Sequence, residues 1–196
     1  MELMHRTHMG VDQHYENITR ESSRTALADG WGGSMVATEI SDILYGTPSP
    51  VAVEVNMGCL KEDQVNIIIH GHEPLLSEMI VAVSRDPAMV DKAKAKGAKG
   101  ITLAGLCCTA NEVLMRHGLP VAGNFLQQEL ALMTGVIDVM LVDVQCVFPA
   151  TTEYQKCFHT KVISTSPKAK VPDALHIDFH EEEAMETAKK IIREAI

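Results

Sequence analysis

The chain has 196 residues and a mass of 21.4 kDa, enough for one domain with a hydrophobic core of its own. Apolar residues make up 46% of it and aromatic residues only 4%, so disorder is excluded and the core must be mainly aliphatic. The formal charge of −9 disfavours a nucleic-acid partner, and no apolar run is long enough to predict a membrane span.

Two regions follow one another along the chain. Residues 1–50 are predicted to be a helical and loop-like lead-in, with a Gly-rich break at 30–33 and a helix from Ser34 to about Leu44. In residues 51–196, short aliphatic strands alternate with helices, which predicts a doubly wound, mostly parallel, Rossmann-like α/β sheet with helices on both faces. The predicted strands are 51–55, 65–69, 101–106, 136–144, 161–164 and 174–179, and the predicted helices are 74–84, 87–96, 108–116, 124–133 and 181–195.

The cysteine content indicates the kind of compartment. The five cysteines are an odd number, and the first residues contain no apolar leader, so a secreted disulfide framework is not expected. We therefore predict a cytoplasmic location. In a reducing compartment these thiols are either small core residues or metal ligands. Cys59 and Cys157 are read as structural residues.

Histidine and cysteine follow three of the predicted strands where each strand ends. His70 and His72 follow 65–69, Cys107 and Cys108 follow 101–106, and Cys146 follows 136–144. Because ligands of open parallel sheets bind outside the carboxyl ends of the strands, we expect these side chains to lie at one rim. Thiolates with an imidazole suit an iron–sulfur cluster, zinc or Cu(I) better than magnesium or calcium. The alternative is that these cysteines only fill the core.

Long motifs of the sequence resemble the catalytic subunit of anaerobic nickel–iron carbon monoxide dehydrogenases. The runs that carry the resemblance are VNIIIHGHEPLLSEM, GLCCTANEVLMRHG, GNFLQQELALMTGVIDVMLVDVQC and VISTSPKAKVPDALHIDF, with MHRTHMGVD and RTALADGWGGSM upstream. The likeness covers nearly the whole chain. It implies that residues 51–196 are the Rossmann-like middle domain, which contributes part of the nickel–iron–sulfur active-site cluster, the C-cluster.

The resemblance also implies roles for individual residues. The implied cluster ligands are His72, Cys108 and Cys146, with His70 a less favoured imidazole and Cys107 a cofactor-binding neighbour. His72 is also implied to act in catalysis, as is Asp29 in LADGWGG, an acid that would support the path of protons. The implied reaction is CO + H₂O ⇌ CO₂ + 2H⁺ + 2e⁻, with a ferredoxin-type protein as electron acceptor.

The chain lacks parts that the resemblance requires. It has no CxxC motif and neither the N-terminal nor the C-terminal domain of that family, which are therefore its expected partners. We expect the isolated chain to be inactive, and its sequence leaves open whether it binds metal alone or forms a homo-oligomer. The alternatives are a metal-free scaffold domain, a domain like the hybrid-cluster (hydroxylamine reductase) proteins, and a zinc-binding protein. The motifs HGHEPLLSEM and CCTANEVLMRHG favour carbon monoxide dehydrogenase over the hybrid-cluster family.

Overall fold

The computed structural model describes residues 1–196, which form two compact units, Met1–Pro48 and Ser49–Ile196. The first unit is helical. It contains α1 (Glu2–Arg6), α2 (Tyr15–Asp29), a π-helical segment (Gly30–Val36) and α3 (Ala37–Tyr45). The break predicted at the glycines does not occur, because the backbone continues through them as a wider helix. Gly46 then ends α3 with a φ of 86°, a conformation that favours glycine.

The second unit is built on a six-stranded parallel sheet, which confirms the predicted fold class. The strands are β1 (Val65–His70), β2 (Ile101–Leu106), β3 (Val121–Gly123), β4 (Val139–Val142), β5 (Lys161–Ser164) and β6 (Leu175–His176). Their order across the sheet is β3-β2-β1-β4-β5-β6, and every neighbouring pair is parallel. The strand order therefore reverses direction at β1, which pairs with β2 on one side and β4 on the other.

Helices cover both faces of this sheet. They are α4 (Pro74–Ser84), α5 (Pro87–Ala95), α6 (Cys107–His117), α7 (Gln128–Met133), α8 (Thr151–Gln155) and α9 (Ala184–Ala195). Proline in the first turn of α4 and α5 fits the start of a helix, where its missing N–H would have no partner. One buried cluster contains residues of α4, α5, α6 and α9, and the other contains residues of α7.

The central strand shows why the sheet needs cover on both sides. All six residues of β1 are buried. Ile67 and Ile69 belong to the first cluster, whereas Ile68 belongs to the second. A strand buried on both faces has a continuous apolar run rather than an alternating pattern, and this run made β1 recognisable in the sequence.

The short elements differ from the sequence prediction. The strand expected over 51–55 is reduced to one parallel bridge between Val55 and Val121. The strand expected over 136–144 covers only 139–142, and the one expected over 174–179 has two residues. The helix expected over 124–133 begins with a 3₁₀ turn, Phe125–Gln127, before α7. Pairing with neighbours, rather than the local sequence, decides such short segments.

Candidate metal centre

Three metal-ligating side chains meet at the carboxyl end of the sheet. His72, Cys107 and Cys146 follow β1, β2 and β4, the three neighbouring strands at the point where the strand order reverses. The nitrogen or sulfur atom that each can offer to a metal lies within 4.8 Å of the other two. Ligands in open α/β sheets bind at this position, so the topology accounts for the convergence.

Cys107, not Cys108, is the member of the adjacent pair that joins this group. The sequence argument assigned Cys108 as the ligand and Cys107 as its neighbour. In the structure Cys107 is half-buried and close to the other two ligands, whereas Cys108 is exposed and outside the group. Cys107 has a φ of 65°, which changes the chain direction between β2 and the first turn of α6. The thiol of Cys107, and not that of Cys108, therefore lies within the group.

Left-handed backbone is concentrated at the site. Four non-glycine residues have positive φ in the whole chain, and three of them are Cys107 (65°), Gln145 (65°) and Cys146 (58°). Such conformations are unfavourable for residues with a Cβ and persist only where the surrounding structure holds them. Two of the three prospective ligands are therefore held in place by more than their local sequence.

The ring of His72 is oriented by its backbone partner. Its Nδ1 lies 3.0 Å from the carbonyl oxygen of Val144, which can only accept, so Nδ1 carries the proton and donates. In the neutral ring, this bond leaves the lone pair on the other nitrogen, Nε2, where a metal can bind. A metal-binding histidine usually donates its second nitrogen in this way, which fixes both the tautomer and the ring orientation.

Asp143 ties the ends of β1 and β4 together. Its buried carboxylate accepts hydrogen bonds from the backbone N–H of His72 at 2.6 Å, Glu73 at 2.8 Å and Val144. Burial raises the pKa of Asp143, and the three backbone N–H groups oppose that effect. Gly71, with a φ of 131°, makes room, because a Cβ at this position would collide with the Asp143 carboxylate. The His72 loop is therefore attached to the strand that leads to Cys146.

The two thiols of the group contact each other. Burial, and next the hydrogen bond with Cys146, raise the pKa of the Cys107 thiol to about 12. Without a cation, Cys107 therefore keeps its proton at neutral pH. A bound metal reverses this preference, because a coordinated thiol is deprotonated outright. A thiol pair facing an imidazole lone pair is thus a donor set for a soft or borderline metal.

The remaining residues singled out in the sequence lie outside this group. His70 is fully buried at the end of β1, where its Nε2 lies 3.2 Å from Oε1 of Gln128. Cys59 is buried in the second core cluster, and Cys157 is exposed. Asp29 is the last residue of α2 in the first unit, and its carboxylate lies over the Cα of Gly33.

The sequence analysis did not identify a chain of side-chain hydrogen bonds near the β6 edge of the sheet. The hydroxyl of Ser164 lies 2.8 Å from Nδ1 of His176, whose Nε2 lies 2.6 Å from a carboxylate oxygen of Asp178. These are the residue types of a hydrolase triad. Ser164 has no exposed surface, however, so no substrate can reach its hydroxyl. The chain of bonds joins β6 to β5 and does not form a nucleophilic site.

The comparisons with known proteins agree with this architecture. The model of the Prismane/CO dehydrogenase family matches residues 1–196. Carbon monoxide dehydrogenase 1 of Methanosarcina mazei is 58% identical over 196 residues, covering 100% of this chain and 31% of that protein. The carbon monoxide dehydrogenase/acetyl-CoA synthase subunit beta of Moorella thermoacetica is 52% identical over 195 residues, covering 100% of this chain and 28% of that protein.

A solved structure extends the likeness to three dimensions. The as-isolated, nickel-free carbon monoxide dehydrogenase from Thermococcus sp. AM4 superposes with a TM-score of 0.97 at 53% identity, covering 99% of this chain and 31% of that one. The fold and the thiol–imidazole rim define an α/β protein with a candidate metal centre. The chain belongs to the Prismane/CO dehydrogenase family. The relatives compared above are oxidoreductases named carbon monoxide dehydrogenase. The chain spans about 30% of their length. None of its helices is both long and apolar enough to cross a membrane.

Proposed function

We propose that this chain forms the part of a nickel–iron carbon monoxide dehydrogenase that supplies some of the protein ligands of its active-site cluster. The observation that carries the proposal is the meeting of His72, Cys107 and Cys146 within 4.8 Å at the strand ends of a chain in this family. When bound, the nickel–iron–sulfur cluster supplies the redox chemistry of CO + H₂O ⇌ CO₂ + 2H⁺ + 2e⁻, and a ferredoxin-type acceptor takes the electrons.

The chain's own residues contribute ligation and orientation. Nε2 of His72 binds one metal of the cluster, with the ring held by its bond to the Val144 carbonyl. Cys146 and the Cys107–Cys108 pair supply thiolates. Cys107 is favoured by its position in the group, and Cys108 is favoured by the sequence motif. Asp143 fixes the spacing between the His72 loop and the Cys146 loop.

The ligand set is incomplete within these 196 residues. An iron–sulfur cubane takes about four protein thiolates. The group described here offers two thiols and one imidazole. We propose that the remaining ligands come from the other domains of the same enzyme, and that residues 51–196 act as its middle, ligand-contributing domain. The proton path that involves Asp29 belongs to the same proposal.

Transplanting the chain into a full-length relative tests this function. This chain replaces the matching segment of Methanosarcina mazei carbon monoxide dehydrogenase 1, and anaerobic CO oxidation with a viologen dye is measured. We expect the chimera to keep activity, and His72→Ala or Cys146→Ala within it to abolish activity. Cys157→Ala is the matched control, because this exposed thiol lies outside the group. A folded chimera that carries iron and nickel but oxidises no CO would refute the proposal.

The choice within the cysteine pair has its own test. In the same chimera, Cys107→Ala and Cys108→Ala are compared by counting iron and nickel per chain and by the spectrum of the cluster. If Cys107 is the ligand, its loss reduces cluster content and loss of Cys108 does not. The opposite result would assign the ligand role to Cys108, as the sequence motif does. The 196-residue chain alone is expected to give no viologen reduction, since it lacks the other ligands and the electron-transfer clusters.

A further inference from the structure

We propose that Gln128 is a positioning residue that holds the Cys146 loop in its metal-binding conformation. The inference rests on the proposed metal centre. Gln128 is the first residue of α7 and has no exposed surface. Its side-chain nitrogen donates to the carbonyl oxygen of Cys146 at 2.9 Å. The side chain therefore links α7 directly to a prospective ligand.

The side-chain amide of Gln128 uses its full bonding capacity. Nε2 donates to the carbonyls of Phe125 at 2.6 Å and Cys146 at 2.9 Å. Oε1 accepts from the backbone N–H of Phe148 at 2.8 Å and faces Nε2 of His70 at 3.2 Å. An amide has two donor hydrogens and two acceptor lone pairs, so each has a partner. Gln128 therefore binds the Cys146 loop on both sides of Val147.

The chemistry of these partners allows only one orientation of the amide. Backbone carbonyls can only accept, and the backbone N–H of Phe148 can only donate. Exchanging the amide oxygen and nitrogen would set donor against donor and acceptor against acceptor. Nε2 of the His70 ring faces the amide oxygen, which can only accept, so Nε2 donates to it. The whole network therefore has one stable arrangement.

Neither the helix nor the core explains an amide at this position. The 3₁₀ turn that leads into α7 already has its own cap, in which Asn124 and Gln127 exchange side-chain bonds with each other's backbone. The buried face of α7 otherwise consists of apolar residues, Ala131 and Leu132. A buried amide is costly unless bonded, so an apolar residue would suit this face equally well.

The Cys146 loop has a conformation that needs an external hold. Gln145 and Cys146 both have left-handed backbone, at φ values of 65° and 58°. Cys146 is exposed, so packing around its side chain does not fix it. The bonds from Gln128 to the Cys146 carbonyl and the Phe148 N–H form a bracket directly after this left-handed pair. We infer that this bracket keeps the thiol within reach of His72 and Cys107.

Cobalt binding to the 196-residue chain tests the inference. Anaerobic titration with Co²⁺ alone reports affinity, and the sulfur-to-cobalt charge-transfer band reports thiolate coordination. Gln128→Met removes all four bonds and keeps a similar volume. Loss of a partner behind a metal ligand typically weakens metal binding by about 10–100-fold. We expect a loss of this size, with a weaker charge-transfer band and a retained cooperative thermal melt.

A second variant and a matched control complete the experiment. Gln128→Glu keeps the oxygen that faces Phe148 and removes the donor to Cys146, so it carries the test if the methionine variant does not fold. Gln155→Leu is the control, since Gln155 also joins two segments through its side-chain amide, β5 at the Val162 N–H and the loop at the Asp173 carbonyl, and neither belongs to the ligand group. We expect this control to bind Co²⁺ as the original chain does.

The outcomes separate the two proposals. If the original chain shows no Co²⁺ charge-transfer band, the three donors do not form a metal site on their own and the positioning role is refuted, whereas the proposed function still depends on the chimera test. If the original chain binds and a folded Gln128 variant binds equally well, only the positioning role is refuted. An equal loss in Gln155→Leu would also refute it, because the effect would then reflect general destabilisation.

Discussion

Replacing Gly71 by alanine should destabilise the second unit strongly. Gly71 has a φ of 131°, which costs an L-residue about 1–3 kcal/mol. The new Cβ would also collide with the carboxylate of Asp143, which accepts three backbone N–H groups. Losing one such charge-assisted bond costs about 1.5–3 kcal/mol. The sum, about 2.5–6 kcal/mol, is a large part of the typical stability of a domain, about 5–15 kcal/mol.

Gly97→Ala separates the two contributions to this loss. Gly97 also has positive φ, at 104°, but a Cβ there would meet no atom within 4 Å. It should therefore lose only the backbone part, about 1–3 kcal/mol. Urea unfolding followed by circular dichroism measures the free energy of unfolding of both variants. If Gly71→Ala were no less stable than Gly97→Ala, the carboxylate of Asp143 would not be the fixed element that we describe.

Three further outcomes are expected from the isolated chain. Leu141→Ala, in the buried centre of β4, should lower the free energy of unfolding by about 2–5 kcal/mol, measured by thermal or urea unfolding. Cys146→Ala, at an exposed and prospective ligand position, should lower it by no more than about 0.5 kcal/mol. Equal losses would show that Cys146 is a core residue. Iodoacetamide should alkylate exposed Cys157 rapidly and Cys59 slowly, because Cys59 is buried and burial raises the pKa of its thiol. Peptide mass spectrometry measures both rates, and equal rates would contradict the described burial. Trp31, the single tryptophan, is 66% exposed and should be quenched readily by acrylamide; a shielded, blue-shifted emission would show that this surface is covered.

The sheet was predictable where burial leaves a strong local signal. Residues 65–69 and 101–106 are apolar runs bounded by turn residues, and both are strands. The three-residue strand Val121–Gly123 and the one-turn helix Thr151–Gln155 were missed, because segments this short form through contacts with neighbours. The glycines at 30–33 led to a wrong prediction, a break in the helix. Glycine only permits a break, and the flanking helices continue through it.

The sequence predicts where on the sheet the candidate site lies, but not every residue that forms it. The strand-end argument led to His72 and Cys146, which the structure brings together. It does not by itself choose between the adjacent cysteines: the family resemblance implies Cys108 as the ligand, whereas the structure brings Cys107 into the group. Asp143 left a signal, as a charge that interrupts an otherwise apolar strand. Gln128 left none, because a glutamine next to another glutamine reads as part of an exposed helix face.

The strand order has a consequence for the order in which the candidate metal centre forms. His72 and Cys107 belong to one β-α-β unit, which is complete once β2 pairs with β1. Cys146 joins them only when β4 docks on the opposite side of β1, after α6, β3 and α7 have been synthesised. Contacts between distant parts of a chain form late in folding. Before that docking, only two of the three donors are next to each other. A metal ion that needs all three donors could therefore bind only after β4 has docked.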